Sequence, residues 1–479
     1  MVAATKGWPI LTADVSTAFL RGLTFEELSR LTGEKIRRAG FHPPKGYESF
    51  IKELPGMGSY DRNVHELLMT KPVYGMKDAP RAWRIRLHQA LTSLHYVPLN
   101  TDKALYYLHD QKLGITALIS THVDDLKMTG VPTILEKTLR DLTSMFGDLK
   151  IHRGEFEHCG ILHHQHEDMS ITMEQNHYVK NLQLIDTTGI DASDGSKPLN
   201  SAQHADYLSL LGGLAWLGQT RMDTAIYTQA LQRAAQSPTV ALLLRLNTVI
   251  KWVRRKPASL YYRRLTGPLR VVVISDAAFR REDSSGLAIR GATIAVSEDS
   301  SSDNPGGNMA VIEWYARRQR RVVRSTFGAE INGLIDAIET GRLIAFTLAE
   351  LVRPGIDLHK LRQLDDEGKL GIPIHACTDC KSVFTALKSQ DTHIPTESSL
   401  ILIALQLKQL LVSGVLQSLF WIDTRDMVSD GLTKGLVSRK ALLTLASTGK
   451  WNVIFPSEKH QDFIPESGNN HRGILFSGK

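Results

Sequence analysis

Several aspartates of this sequence sit where an apolar β-type run ends. Asp14 closes the run 9–13, the pair Asp124-Asp125 follows 115–123, Asp276 follows 270–275, and Asp379 follows 374–378. A carboxylate in such a place is costly to bury alone, so it is exposed, paired or bound to a cation. Hard oxygen ligands gathered from separate segments suit Mg²⁺, which keeps part of its water shell and takes phosphate oxygens for the rest. Two such ions about 3.5–4 Å apart clamp the attacking and leaving oxygens of a phosphoryl transfer. The acids fall into two sets along the chain, so two separate metal sites are expected. Taken singly, each also reads as a turn former or a helix N-cap. The adjacent pair Asp124-Asp125 resists that reading, because like charges so close repel.

The elements that must position these acids can be read from periodicity. Residues 9–15 form a short strand and 16–20 a helix-like stretch; 40–65, rich in Gly, Pro and Tyr, form a long loop. Trp83, Leu87, Ala90, Leu91 and Leu94 share one face of a helix over 80–95. The runs 104–108 and 115–123 form a β-hairpin. Helices are expected at 132–146 and 176–186, with short strands near Ile151, Ile161 and Ile171. Residues 205–256 read as all-helical, with Tyr207, Leu210, Leu211, Leu214 and Leu217 in step and a basic end at Lys251, Arg254, Arg255 and Lys256. Thr266-Gly267-Pro268 is a turn and a domain boundary. Beyond it come strands at 270–275 and 311–316, a helix at 325–351, a polar linker at 354–372, a strand at 374–378, helices at 381–388 and 398–413, a strand at 420–422, and a helix carrying Asp430. That order is α/β.

Composition excludes several classes. The chain has 479 residues, 42% hydrophobic and 22% charged, which is ordinary for a globular protein of several domains. Lys plus Arg number 57 against 50 Asp plus Glu, a net charge of +7 that suits a nucleic-acid partner without requiring one. Three cysteines cannot build a disulfide framework. No apolar run approaches the roughly 20 residues of a membrane span, and no signal peptide opens the chain. An intracellular protein, cytoplasmic or nuclear and without a membrane partner, is expected. The stretch from Phe455 mixes Pro, Gly, Asn and His and reads as a poorly packed tail.

Other constellations are weaker. Cys377-x-x-Cys380 lacks the further ligands a zinc site needs and reads as a strand end bracketing Asp379. The tract from His163 to Asp168 has residues that could bind a transition metal, but its place between two short strands favours a solvated hairpin loop. Arg317, Arg318, Arg320 and Arg321, with Arg324 beyond, lie just ahead of Glu330. They fit a solvated face or contacts to a phosphate backbone, which would be strongly salt-dependent; the context favours the latter. Trp314, Tyr315 and Trp421 read as core. There is no Walker loop, no dinucleotide glycine fingerprint and no His-Glu-x-x-His.

Longer matches now matter. Asp14-Val15-Ser16-Thr17-Ala18-Phe19-Leu20 resembles the first catalytic motif of copia-type retrotransposon reverse transcriptases. Val73-Tyr74-Gly75-Met76-Lys77-Asp78-Ala79-Pro80-Arg81-Ala82-Trp83 is similar to their Leu-Tyr-Gly-Leu-Lys-Gln-Ser-Pro-Arg-Ala-Trp, and His122-Val123-Asp124-Asp125 to their Tyr-Val-Asp-Asp. Residues 207–214 and 220–225 resemble their Tyr-Arg-Ser-Leu-Val-Gly-Ser-Leu and Thr-Arg-Pro-Asp-Ile. The resemblance continues into the family's ribonuclease H region. Ser275-Asp276-Ala277, Ser325-Thr326-Phe327-Gly328-Ala329-Glu330, Thr378-Asp379-Cys380-Lys381-Ser382 and Ser429-Asp430-Gly431-Leu432-Thr433-Lys434 follow in the family's order.

The resemblance implies a Pol polyprotein segment. A reverse transcriptase palm with partial fingers would span 1–190, a helical thumb or connection 191–265, an α/β ribonuclease H-like domain with a five-stranded mixed sheet 266–448, and a tail 449–479. Asp14, Asp124 and Asp125 would hold two Mg²⁺ ions in the palm. Asp276, Glu330, Asp379 and Asp430 would hold two more in the ribonuclease H site, with Mn²⁺ as a substitute. Phe19 would pack under the incoming sugar and exclude a 2′-hydroxyl, with Gly75 and Lys77 also at the nucleotide. Arg81 would contact nucleic acid. The partners implied are an RNA template, a DNA primer, an RNA–DNA hybrid and deoxynucleoside triphosphates, with the chain alone or in a homo- or heterodimer. The departures are His122 for Tyr, Asp78 for Gln, and residues 396–399 where the family has Lys-His-Ile-Asp. Asp14 lies close to the first residue, so basic fingers are expected upstream and the chain reads as an N-terminally truncated piece. The rival expectation is a repurposed nucleic-acid-binding protein without polymerase turnover, with ribonuclease H activity alone or none.

Overall fold

The computed structural model describes residues 1–279, 287–299, 303–389 and 397–461. Its first part is a six-stranded antiparallel sheet. In spatial order the strands are Val97–Pro98, Leu105–Asp110, Gly114–His122, Asp125–Gly130, Ile10–Val15 and Leu149–Arg153. Helices Ala79–Ser93 and Pro132–Phe146 cover one face, where Leu11, Ala13, Val15, Leu126 and Met128 meet Trp83, Leu87, Leu139 and Leu142. Side chains alternate along a strand, so this arrangement turns Asp14 and Asp125 to the other face. The expected helix over 132–146 is observed, opened by Pro132 at its first position and closed by Gly147 at φ 83°.

The chain then forms a four-stranded antiparallel sheet, Leu260–Tyr262, Ile171–Glu174, Ile161–Gln165 and Glu155–His158. The helices Asn176–Asn181, Ser201–Leu217, Ala225–Gln232 and Val240–Arg255 pack around their own core of Tyr207, Leu214, Leu243 and Ile250. The all-helical character expected over 205–256 is observed as three successive helices, whereas the helix expected at 176–186 ends at Asn181.

The last part is built on a seven-stranded mixed sheet. Its order is Lys450–Trp451, Gly307–Arg318, Ile289–Glu298, Leu269–Ala278, Ile374–Thr378, Ser418–Trp421 and Glu458–His460. The expected five-stranded mixed sheet is its centre. The two short outer strands come from residues expected in the tail: Trp451 is buried, and its indole donates to the Asp426 carbonyl at 3.0 Å. The packed part of the chain thus runs past 448 to at least His460, because Asp426 also accepts from the Ile454 and Phe455 amides. The remaining tail, 462–479, and Thr396 lie outside the described residues. Helix Thr326–Val352 packs on one face of the sheet, and Met427, Val428, Leu432 and Leu442 pack on the other. The linker at 354–372 contains a helix, Leu358–Asp366, whose N-cap Asp357 accepts from the Lys360 amide.

The two halves share one core. Leu99, Tyr107, Ile115 and Leu118 of the first sheet join Leu269, Val271, Leu348 and Leu351 of the last part in a continuous apolar cluster. Among them Glu350, 1% exposed, accepts from the Asn100 and Thr101 amides at 2.6 and 3.2 Å.

Candidate active sites

The first acidic set lies at one end of the first sheet. Asp14 and Asp125 are direct partners across the ladder between their strands, so their side chains share a face. Asp124 sits in the two-residue turn that joins His122 to its ladder partner Asp125. The Val15 amide donates to the Asp124 carbonyl at 3.3 Å, tying the turn to the Asp14 strand. Partial burial, then the charges of Asp124 and Asp14, push the Asp125 carboxyl up, with His122 opposing. Lys150 on the neighbouring strand lies 3.6 Å from the Asp14 carboxylate.

The turn is strained. Val123 has φ 56°, a left-handed conformation that a β-branched residue rarely adopts. It is held from below: the Trp83 indole, 1% exposed, donates to the Val123 carbonyl at 2.5 Å. Sequence reasoning singled out Trp83 as part of a motif and as core but gave it no place at the acids. A buried indole N–H needs an acceptor, which was the available signal.

Phe19 is the second residue of the short helix Ala18–Arg21, and its ring lies 4.8 Å from that of Tyr74. The loop carrying Gly75, at φ 87°, and Lys77 is thereby brought against Phe19; Gly75 and Lys77 are both exposed. Arg81 is exposed and paired with Glu34 at 2.9 Å, and Asp78 with Arg37, so the charge at Asp78 is locally offset.

The second acidic set is tighter. Asp276 lies near the end of the central strand, 1% exposed; Asp379 follows the strand Ile374–Thr378, and Asp430 opens the helix Asp430–Thr433. One carboxylate oxygen from each of the three lies within 4.8 Å of the others. Glu330, buried on helix Thr326–Val352, stands close enough for Asp276 and Asp379 to act on it. Burial, then those two charges, pushes its carboxyl up to about 9. Burial likewise raises Asp276 to about 7, against the pull of Lys434. Oδ1 of Asp276 accepts no hydrogen bond, while Oδ2 accepts from the Thr433 hydroxyl. A buried carboxylate oxygen with no hydrogen bond, faced only by the Lys434 ammonium at 3.5 Å and set among further acids, belongs to a donor set that a hard divalent cation takes.

Lys434 and Thr433 complete this cluster, and neither was assigned a place in it from sequence. Lys434 pairs with Asp430 and lies 3.5 Å from Asp276. The i, i+4 spacing of Asp430 and Lys434 was the legible signal. Thr424 donates to Asp379 at 2.6 Å.

The arginine run adjoins this set. Arg317 and Arg318 end a strand whose partner, two ladders from Asp276, aligns Arg290 with Arg317 and Ala277 with Arg290. Between the arginines Gln319 is buried and donates to the carbonyl of Ala329, the residue before Glu330. Arg317, Arg318, Arg320 and Arg321 are all exposed beside it.

Of two minor readings, the one at Cys377 and Cys380 as a strand end around Asp379 stands, and the one at His163 needs correction in part. The tract from His163 is only half a loop: residues 163–165 lie on the strand Ile161–Gln165, where His163, stacked on Phe156, is 3% exposed, while 166–168 form the hairpin loop that was expected, with Glu167 and Asp168 exposed. Alternation sends His163 inward and His164 outward. Cys377 is fully buried on its strand, and burial pushes its thiol up. Among the described residues no helix is long and apolar enough to cross a membrane.

Comparison with known proteins bears on these sites. The reverse transcriptase (RNA-dependent DNA polymerase) family model matches residues 35–195, a span that includes Asp124 and Asp125 but not Asp14 or the second set. Two retrovirus-related Pol polyproteins of Arabidopsis thaliana, from transposons RE1 and RE2, are each 24% identical, over 463 and 451 residues. The alignments cover 93% and 91% of this chain, and the chain spans 28% and 27% of those proteins. The foamy viral protease-reverse transcriptase in complex with dsDNA aligns over 84% of this chain and 66% of that one. Its identity is 12% and its TM-score 0.19, too loose to bear on the fold.

Proposed function

We propose that this chain, related over most of its length to the Pol polyproteins of copia-type retrotransposons, is an RNA-directed DNA polymerase with a ribonuclease H site. The observation that carries the reading is the gathering of the acids into two separate groups, one at an end of each large sheet.

In the first group Asp14, Asp124 and Asp125 would hold two Mg²⁺ ions, and in the second Asp276, Glu330, Asp379 and Asp430 would hold two, with Mn²⁺ as a substitute. When bound, such ions activate the attacking oxygen and stabilise charge on the leaving group. The chain's own residues do the rest. The Val123 turn, pinned by Trp83, ties the Asp124 backbone to the Asp14 strand through the Val15 amide. Phe19, in tilted contact with the Tyr74 ring, would pack against the sugar of a deoxynucleoside triphosphate and leave no room for a 2′-hydroxyl, with Gly75 and Lys77 alongside. The exposed arginines 317, 318, 320 and 321, and Arg81 once released from Glu34, would contact the phosphates of the RNA template, DNA primer or their hybrid. In the second group Lys434 balances charge among Asp276 and Asp430.

The acids are tested in pairs. Asp124→Asn is expected to abolish primer extension and leave hybrid cleavage, and Asp379→Asn to do the reverse. Loss of both activities in either variant, with the fold intact, overturns the two-site reading.

One observation favours a second reading, hybrid cleavage without polymerisation. The second set closes to within 4.8 Å, whereas Asp14, Asp124 and Asp125 form no such group. Primer extension above background in Mg²⁺ or Mn²⁺ rules it out.

A further inference from the structure

The face of the first sheet that carries Asp125 also meets the hairpin of strands Glu155–His158 and Ile161–Gln165. In this hairpin His158 is the ladder partner of Ile161, so Cys159 and Gly160 form a two-residue turn. Both have positive φ, 51° and 72°, the signature of a type I′ turn. Asn, Asp or Gly suits such a turn; a cysteine at its first position is conformationally costly by about 1 kcal/mol or more. The turn is clamped, since a Cβ added to Gly160 would lie 3.0 Å from Nε1 of Trp216 on helix Ser201–Leu217.

Three unlike ligands converge here. One ligand atom each from Asp125, His158 and Cys159 lies within 4.8 Å of the others. His158 is 7% exposed, yet its buried Nδ1 has no hydrogen-bond partner, a condition that costs stability unless something occupies it. Cys159 is half-buried and forms no disulfide. A carboxylate, an imidazole and a thiolate form the mixed O, N and S set that a borderline-soft cation takes, and Mg²⁺ does not take sulfur. Tetrahedral zinc ligands lie about 3.3–3.8 Å apart, so closure asks for a movement of about 1 Å. The charges of a carboxylate and a thiolate would balance a divalent ion, which matters because Lys127 stands nearby, 3.4 Å from His163.

We propose that Asp125, His158 and Cys159 form a Zn²⁺ site behind the first acidic set, with its fourth position open. A cation there holds the Asp125 carboxylate on the hairpin side, away from Asp14 and Asp124. This last consequence rests on the polymerase reading; the binding itself does not.

The binding test uses the full chain stripped with EDTA and titrated with Co²⁺, whose thiolate complexes absorb in the near ultraviolet. One equivalent of Co²⁺ is expected to give a sulfur-to-cobalt band that Zn²⁺ abolishes. Cys159→Gly, which relieves the turn as it removes the thiol, is expected to fold and to lose the band. His158→Ala is expected to weaken binding about tenfold or more. Cys380→Ser, far along the chain, should leave the band unchanged. No band in the wild-type chain, a band that persists in Cys159→Gly, or one lost in Cys380→Ser overturns the proposal. In a second arm, equimolar Zn²⁺ should suppress primer extension in the wild type and spare Cys159→Gly. Absence of extension in both chains with Mg²⁺ alone counts against the polymerase reading, and the cobalt band still decides the zinc site.

Discussion

A single residue decides where the Asp124 carboxylate stands. Val123 is forced into a conformation that disfavours it, and the cost is met by the Trp83 hydrogen bond and the paired strands on either side. Strain of this kind clusters where geometry matters more than stability. His375 shows the opposite economy. It is buried beside Phe420, with Nδ1 against the Ser418 hydroxyl and Nε2 4.0 Å from Asp299. Burial, then the charges of Arg270 and Lys459, holds its imidazole down to about 3. The folded-state value lies below the ordinary one of about 6.5, so the stability tied to neutral His375 is present above pH 6.5. It is lost as pH falls toward 3, by about 1.4 kcal/mol for each pH unit. His375→Asn should flatten the fall in urea-unfolding stability between about pH 6 and 4, whatever its effect at neutral pH. An unchanged slope in that variant would mean that His375 is already charged in the folded protein.

At the scale of elements, helix Ala79–Ser93 carries more than its apolar stripe. It delivers Trp83 to the Val123 turn, and its N-terminal end is tied to the 34–37 segment by Arg81–Glu34 and Asp78–Arg37. Trp83→Phe keeps most of the ring in the core and deletes the bond to Val123. We expect a loss of about 1 kcal/mol in stability and of about tenfold in primer extension, near 1.4 kcal/mol of barrier. Hybrid cleavage should not change, and an equal loss in both activities would place the effect in the fold rather than the turn. This helix was legible because its stripe repeats every three or four residues beside a strand with clean alternation. The strand Ile289–Glu298 was not. It is buried on both faces, so it shows no alternation, and Gly291 interrupts it where Leu432 and Thr433 press within 2.7 Å of a would-be Cβ. The carboxylates themselves could be found because each follows an apolar run. Lys434 left only its i, i+4 spacing and Trp83 only an indole N–H in need of an acceptor, and the inward-facing His158 left less, because their places depend on which strands pair, and long-range pairing leaves little trace in local sequence.

At the scale of the molecule, the turn at 266–268 that reads as a boundary is crossed by packing. Leu99, Tyr107, Ile115 and Leu118 insert into the core of the second half, and the buried Glu350 receives two amides from the first. Glu350→Ala would strip both amides of their partner and should cost about 3 kcal/mol, measurable by chemical unfolding of the whole chain. The link at Thr266 and Gly267 is exposed. A protease that severs it would therefore yield two fragments on a denaturing gel that still migrate as one particle through a sizing column. Combined with Glu350→Ala, the same nick should let them drift apart. The covalent thread between the two sheets should then be dispensable once they have met, since a shared patch of oil, rimmed by Glu350, Tyr107 and Asn100 bonded across it, keeps them at a fixed separation.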